Sequence, residues 1–389
     1  MDGFEFCSPT KFVLRKDADL EVGKMVRKYS DNVLFVHYGD SFTYKSGLYD
    51  RVTGALKSEG LQVFELPGVE PNPKLELVKQ GIELVKSNRI KFIVAAGGGS
   101  VIDTAKAVGI GSCYEGDVWD FYTGKAVPEK SIPVGVIMTM PATGSEASNG
   151  SVIKNGDLSR DVMGDVLRPV FALMNPNLTL GIPKKQTVNG IVDMFSHVME
   201  RYFSLSRDVE LTDCMCEGVM RSIVGNARKL FDGNMKNPKI RAEFMFTSIV
   251  AHNGVLGVGR SQEWTTHALA AQISAKYNVV HGQAIAVLYP VWAEYVLNKS
   301  NEERFARFAA EVFGVKYDYA NPMLTAIEGV RQLRCFFDFL AAPKSLRELG
   351  VPETETFEDI ADKVCANGHI GWICPLERSD VIHIYERAL

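Results

Sequence analysis

The chain has 389 residues, enough for two to three domains at ~150 residues each. Its 46% hydrophobic and 23% charged side chains exclude wholesale disorder. With 43 basic against 47 acidic residues the net charge is −4, which argues against nucleic acid or an anionic membrane as the main partner.

The start, Met-Asp-Gly-Phe-Glu-Phe-Cys-Ser-Pro, lacks the basic and apolar regions of a secretory signal. The longest apolar runs, Phe92–Ala96 and Ala284–Tyr289, fall short of the ~20 residues of a membrane helix. Seven scattered cysteines (Cys7, Cys113, Cys214, Cys216, Cys335, Cys365, Cys374) offer no Cys-x-x-Cys spacing. Neither a disulfide framework nor a thiolate zinc site is expected, and the thiols read as reduced ones in a cytoplasmic protein.

Up to about residue 180, short β-branched runs alternate with helical spacing. Val33–Val36, Val63-Phe64, Phe92–Ala96 and Val134–Met138 read as buried strands. Between them Leu75, Val78, Ile82 and Val85 mark one face of a helix. This alternation implies a parallel sheet covered by helices. Ser151–Lys154 and Pro169–Met174 read as a small antiparallel addition. From Lys184 onward the segments Val188–Tyr202, Val209–Phe231, Ile240–His252, Gln262–Lys276, Gly282–Leu297, Glu302–Phe313 and Pro322–Leu340 read as helices. The expected fold is an α/β domain over 1–183 followed by an all-α domain over 184–389.

The run Phe92-Ile-Val-Ala-Ala-Gly97-Gly98-Gly99-Ser100 is the sharpest local signal of the first half. A buried strand enters three glycines and then a helix, which lets backbone wrap closely around a ligand and aims the helix N-terminus at it. Ser100 and Asp103 have Ser-x-x-Asp capping spacing. A phosphate cradle is the functional reading, and a tight turn without ligand is the plain one. The run is neither Gly-x-Gly-x-x-Gly nor a P-loop.

The chain has only seven histidines. Asp193 and His197 stand four apart on an expected helix and share a face. His267 lies on a later helix, and His281 opens the next one after the turn Tyr277–Val280. One carboxylate and three imidazoles suit iron(II) or zinc(II) better than calcium or magnesium. The same spacing also fits a surface Asp–His pair and packed core histidines, and it leaves both readings open. His37, His252, His369 and His383 read as structural.

Six segments in order resemble the iron-containing (group III) alcohol dehydrogenase family, most closely its butanol dehydrogenase-like branch. They are Phe4–Lys11, Val69-Glu-Pro-Asn-Pro73, Gly97–Lys106, Pro141-Ala-Thr-Gly-Ser-Glu146, Asp193-Met-Phe-Ser-His197 and His281-Gly-Gln-Ala284. The resemblance implies a Rossmann-like dinucleotide-binding domain before a helical domain, the dehydroquinate synthase-like architecture. It places Asp193, His197, His267 and His281 at the metal-ligand positions, for iron(II) first and zinc(II) second. It makes Gly97, Gly98, Gly99, Ser100 and Asp103 the pyrophosphate region, with Thr139, Thr143 and Asn72 near the cofactor. Asp40 follows the strand end Tyr38-Gly39, where the family meets the adenosine ribose. A carboxylate there accepts from ribose hydroxyls and repels a 2′-phosphate, so NAD is expected over NADP.

The implied activity is hydride transfer between NAD(P)(H) and short or medium-chain primary alcohols or aldehydes, with no nucleic-acid or membrane partner. The Phe4–Lys11 segment resembles the family's N-terminal strand at a dimer interface, so a homodimer is expected. Ala271 departs from the pattern: many members carry a histidine four residues after the third ligand, and a proton relay through it is lost here. An NAD-retaining, dehydroquinate synthase-like lyase and a non-enzymatic cofactor sensor remain the alternatives.

Overall fold

The computed structural model describes residues 1–366 and 368–389. Eight strands occur among them: β1 (Lys11–Leu14), β2 (Asn32–His37), β3 (Gln62–Leu66), β4 (Ile93–Gly97), β5 (Val134–Met138), β6 (Gly150–Asn155), β7 (Leu158–Met163) and β8 (Phe171–Met174). Six form one all-parallel sheet in the order β1-β8-β5-β4-β2-β3.

Sheets of this kind are covered on both faces, so their strands read as continuous apolar runs. Every residue of β4, β5 and β8 is buried. Alternate residues of one strand serve opposite faces. Leu34, Val36, Ile93 and Ala95 pack with the helices Leu75–Asn88 and Gly99–Ser112, whereas Val33, Phe35, Val94 and Ala96 pack with the helix Leu48–Ser58.

Two expectations about strands change. Ser151–Lys154 lies in β6, which forms an antiparallel hairpin with β7, a strand the sequence reading passed over. Phe171–Met174 is not its partner. As β8 it lies parallel between β1 and β5, as its fully buried side chains require. The N-terminal strand starts at Lys11 and pairs with β8, while residues 4–10 belong to no regular element.

The helices expected after Lys184 all form, among them Lys184–Tyr202, Glu210–Phe231, Thr265–Tyr277 and His281–Val296. None is long and apolar enough to cross a membrane among the described residues.

Packing divides the chain into two compact units. One comprises Cys7–Ile182 with Met235–Asn253, the other Met1–Phe6, Pro183–Asn234 and Gly254–Leu389. The helix Pro238–His252 therefore belongs with the α/β part, although its sequence position puts it in the helical half. The reason is local. Its Met245 and Ile249 bury Met138, Ala147 and Met174, and its Ser248 donates to the buried Glu146 at 2.7 Å.

Candidate functional site

The chain leaves β2 for β3 on one side and returns to β4 on the other, so β2 and β4 flank a topological switch point. Ligands of open parallel sheets bind beyond the carboxyl ends of strands at such a point. Gly97 ends β4 there, and the helix Gly99–Ser112 starts at once with Gly98 as its N-cap.

The close approach explains the glycines. A Cβ on Gly99 would stand 2.6 Å from Thr143, and one on Gly98 would stand 3.1 Å from the Tyr38 hydroxyl. Thr139, just past β5, donates its N–H to the Gly97 carbonyl at 3.1 Å. Gly97, Gly98, Gly99, Thr139 and Thr143 are thus brought together, and Ser100 lies in the first turn of the same helix.

Ser100 and Asp103 do not cap this helix, because its N-cap is Gly98 and no side-chain cap forms. Asp103 is half-buried and engaged elsewhere. It accepts from the Ser145 hydroxyl at 2.6 Å and from the Val152 N–H at 3.1 Å, tying the helix to the 145 loop and to β6. Burial raises its pKa, and Lys106 and the Ser145 bond oppose the rise. Asn72 sits on a loop at φ 57° and makes no hydrogen bond to the glycine turn among the described residues. Asp40 caps the short helix Ser41–Lys45, with Oδ1 accepting from the Thr43 N–H and hydroxyl, each at 2.8 Å.

In the helical unit the four residues singled out as metal ligands converge. From Asp193 Oδ1 the Nε2 atoms of His197, His267 and His281 lie at 4.0, 4.0 and 3.9 Å. Asp193 and His197 share one face of the helix Lys184–Tyr202, a consequence of their four-residue spacing. The His197 and His267 rings stack with centroids 4.7 Å apart, and those of His267 and His281 lie 5.2 Å apart. The ligand atoms of Asp193, His197 and His267 all lie within 4.8 Å of one another, and His281 stands just outside that tighter group, beside Asp193 and His267.

The set also has the chemistry of a metal site. Asp193 Oδ1 and His267 Nε2 are buried and find no hydrogen-bond partner among the described residues. Desolvation pushes the Asp193 carboxyl up to about 7. It pushes His267 down to about 3, with help from Arg201, and His281 down to about 3, with help from His267. Both of these imidazoles are therefore neutral and offer lone pairs, and the buried carboxylate lacks a cation.

Sequence reasoning passed over Glu200. Fully buried one turn past His197, it accepts from His267 Nδ1 at 2.9 Å, from the His267 N–H at 3.2 Å and from the Thr266 hydroxyl. That bond puts the His267 proton on Nδ1 and leaves Nε2 as the lone pair facing Asp193. The signal was present: Asp193, His197 and Glu200 follow i, i+4, i+7 on one face. Trp264 borders the group, with its ring centroid 5.0 Å from that of His267 and the Arg201 guanidinium 4.7 Å above it.

Known proteins resemble the chain along nearly its whole length. The model of the iron-containing alcohol dehydrogenase family matches residues 9–176, and that of the C-terminal part of the Fe-containing alcohol dehydrogenase family matches 187–389. The chain is 36% identical, over the whole of both chains, to the probable NADH-dependent butanol dehydrogenase 2 of Bacillus subtilis. It is 30% identical, over 90% of each chain, to an NADPH-dependent aldehyde reductase of Escherichia coli. The crystal structure of NADH-dependent butanol dehydrogenase A from Thermotoga maritima has a TM-score of 0.94 at 33% identity, covering 100% of this chain and 99% of that one. Matched along both its parts and by relatives of nearly its full length, the chain belongs to the iron-containing alcohol dehydrogenase family.

Proposed function

We propose that the chain interconverts short or medium-chain primary alcohols and aldehydes by hydride exchange with a nicotinamide dinucleotide, NAD(H) in preference to NADP(H). Asp193, His197, His267 and His281 would hold one divalent metal, iron(II) first and zinc(II) second. The observation that carries the reading is the convergence of three imidazoles on one buried carboxylate, at 3.9–4.0 Å. When bound, the ion supplies Lewis acidity toward the substrate oxygen, and the nicotinamide supplies the hydride chemistry.

This chain's own residues divide the remaining work. Glu200 fixes the His267 tautomer. Gly97, Gly98, Gly99 and Ser100 would present a pyrophosphate with backbone N–H groups at the helix N-terminus, the usual anion site of such folds, while the glycines admit Val101, Tyr38 and Thr143 close against the turn. Thr139 and Thr143 border that turn, and Asp103 braces it from behind as a positioning residue. Asn72 would approach from its own loop. Ala271 leaves no imidazole at its position for proton transfer.

Asp40 supports the NAD preference. Both its hydrogen bonds land on Oδ1, which leaves Oδ2 to accept from a ribose hydroxyl and to repel a 2′-phosphate. Asp40→Gly is expected to raise NADPH use relative to NADH. Its cost as a lost cap is only about a few tenths of a kcal/mol. Unchanged discrimination would remove Asp40 from the argument.

The direct test is anaerobic reconstitution with iron(II), followed by butanal-dependent oxidation of NADH and NADPH against a chelator-treated control. Metal-dependent release of oxidised nucleotide, faster with NADH, is the expected result. No turnover with either nucleotide across a panel of short aldehydes would favour a nucleotide-retaining lyase or a cofactor sensor.

The same reading extends to a cytoplasmic homodimer. All seven cysteines are free, and Phe4 and Phe6 are exposed near the N-terminus, where a second copy could cover them. Cell fractionation and sedimentation test these two points.

A further inference from the structure

A cavity of about 510 Å³ opens in the helical unit beside the start of the helix Lys184–Tyr202. Exposed Lys184 and Lys185 line it together with the apolar Val188, Leu340 and Leu349. Its buried polar groups are Asn189 and Gln283, which are 6% and 9% exposed. We propose that this cavity binds a small organic anion, a carboxylate with a compact apolar body. The inference goes beyond the dehydrogenase reading and needs neither the metal nor the nucleotide.

Three features converge on that class of ligand. First, the helix begins without a side-chain cap, and its first turn carries two lysines and no acid. Helix N-termini ordinarily attract acidic side chains, so the positive end of the dipole and two ammonium groups coincide here with no anion to meet them. Lys184 lies over the Phe231 ring at 5.3 Å, and Lys185 forms no ion pair among the described residues.

Second, the side-chain amides of Asn189 and Gln283 make no hydrogen bond to any described residue. Both carboxamides line the cavity, where a ligand head group would give them hydrogen-bond partners. The backbones that carry them approach closely, because a Cβ on Gly282 would stand 2.5 Å from the Asn189 carbonyl oxygen. Third, the apolar side chains leave room for more than a bare ion. The one acid at the cavity, Glu348, accepts from the Lys344 N–H at 3.1 Å.

The test titrates hexanoate, hexan-1-ol and inorganic phosphate into the full chain labelled with 13C at Leu and Val methyl groups, with and without iron(II). Hexanoate is expected to shift the methyl signals of Val188, Leu340 and Leu349 in both states. Its apparent affinity is expected to fall about tenfold in Lys185→Gln and in Gln283→Leu, with butanal reduction by Lys185→Gln unchanged. The proposal is overturned if those signals stay still, if they respond equally to hexan-1-ol or phosphate, or if Lys185→Gln binds hexanoate as tightly as the parent. A loss of butanal reduction with the methyl shifts intact would instead count against the dehydrogenase reading alone.

Discussion

Asp193, His197 and Glu200 share one helix face, so two proposed ligands and the carboxylate behind a third come from a single stretch of sequence. The ligand types and their spacing could be read in advance, but the convergence of His267 and His281 on Asp193 required the fold to bring two further helices alongside. Glu200→Ala removes the acceptor that orients His267. It is expected to weaken iron(II) retention roughly 10- to 100-fold while far-UV circular dichroism stays unchanged. Glu200→Gln keeps an acceptor oxygen and should fall between, and unchanged retention in Glu200→Ala would show that His267 needs no such support. His37, read from the sequence as structural, has a defined local role. Its Nδ1 accepts the Gly39 N–H at 3.0 Å and shapes the turn before Asp40. That bond requires a neutral ring, and burial lowers the His37 pKa below its usual 6.5 despite nearby Glu65 and Asp40. The unfolded chain therefore takes up a proton first as pH falls through ~6.5, and stability present above that value is lost below it. The slope is up to about 1.4 kcal/mol per pH unit until the folded pKa is reached. Urea midpoints of the parent should fall from pH 7 to pH 5.5 more steeply than those of His37→Asn, and equal slopes would assign the acid sensitivity elsewhere.

At the scale of elements, the buried strands announced themselves because a parallel sheet covered on both faces needs apolar residues throughout. The hairpin strand β7 escaped notice because Leu158–Met163 is half polar and mostly exposed, so it carries little of that signal. The glycine turn was legible as a tight strand-to-helix passage, but the partners of Asp103 were not. A Ser-x-x-Asp spacing looks like a cap until Ser145 and Val152 are found in contact with the carboxylate. Lys106 holds the neighbouring segment by the same kind of tie. Fully buried, its ammonium donates to the Ser148 carbonyl at 3.0 Å, the Ser148 hydroxyl at 3.2 Å and the Gly150 carbonyl at 2.8 Å, joining the helix Gly99–Ser112 to the start of β6. Desolvation lowers its pKa to about 8, with Asp103 and Glu146 opposing, so it remains largely charged at neutral pH. Lys106→Met should cost about 3 kcal/mol, because it strands buried acceptors and a neighbouring carboxylate without their cation. Urea unfolding measures this, and a change within about 0.5 kcal/mol would mean that the loop re-forms without the lysine.

At the scale of the whole molecule, the order of elements suggested a division at residue 183, since strands cease there and helices follow. Helical periodicity reveals which face of a helix is apolar but not which core it serves. The helix Pro238–His252 illustrates this, with Met245 and Ile249 in the same cluster as Met138, Ala147 and Met174. Gly144 marks the contact from the other side. At φ 65° it is in the left-handed region, and a Cβ there would stand 2.7 Å from the Ser248 carbonyl oxygen. The same unit also holds Arg168, which donates to the carbonyls of Ala147 and Asn253 at 2.7 and 3.4 Å. A fragment of residues 1–183 would therefore leave Met138, Ala147 and Met174 uncovered and Glu146 without its Ser248 donor. Such exposure favours loosened packing and association. The fragment is expected to bind a hydrophobic dye and to melt broadly, whereas a fusion that appends residues 235–253 through a flexible linker should suppress dye binding and sharpen the transition. If the 1–183 fragment alone melts as a single sharp transition without binding dye, the helix is dispensable to the α/β core, and the sequence order defines the folding unit after all.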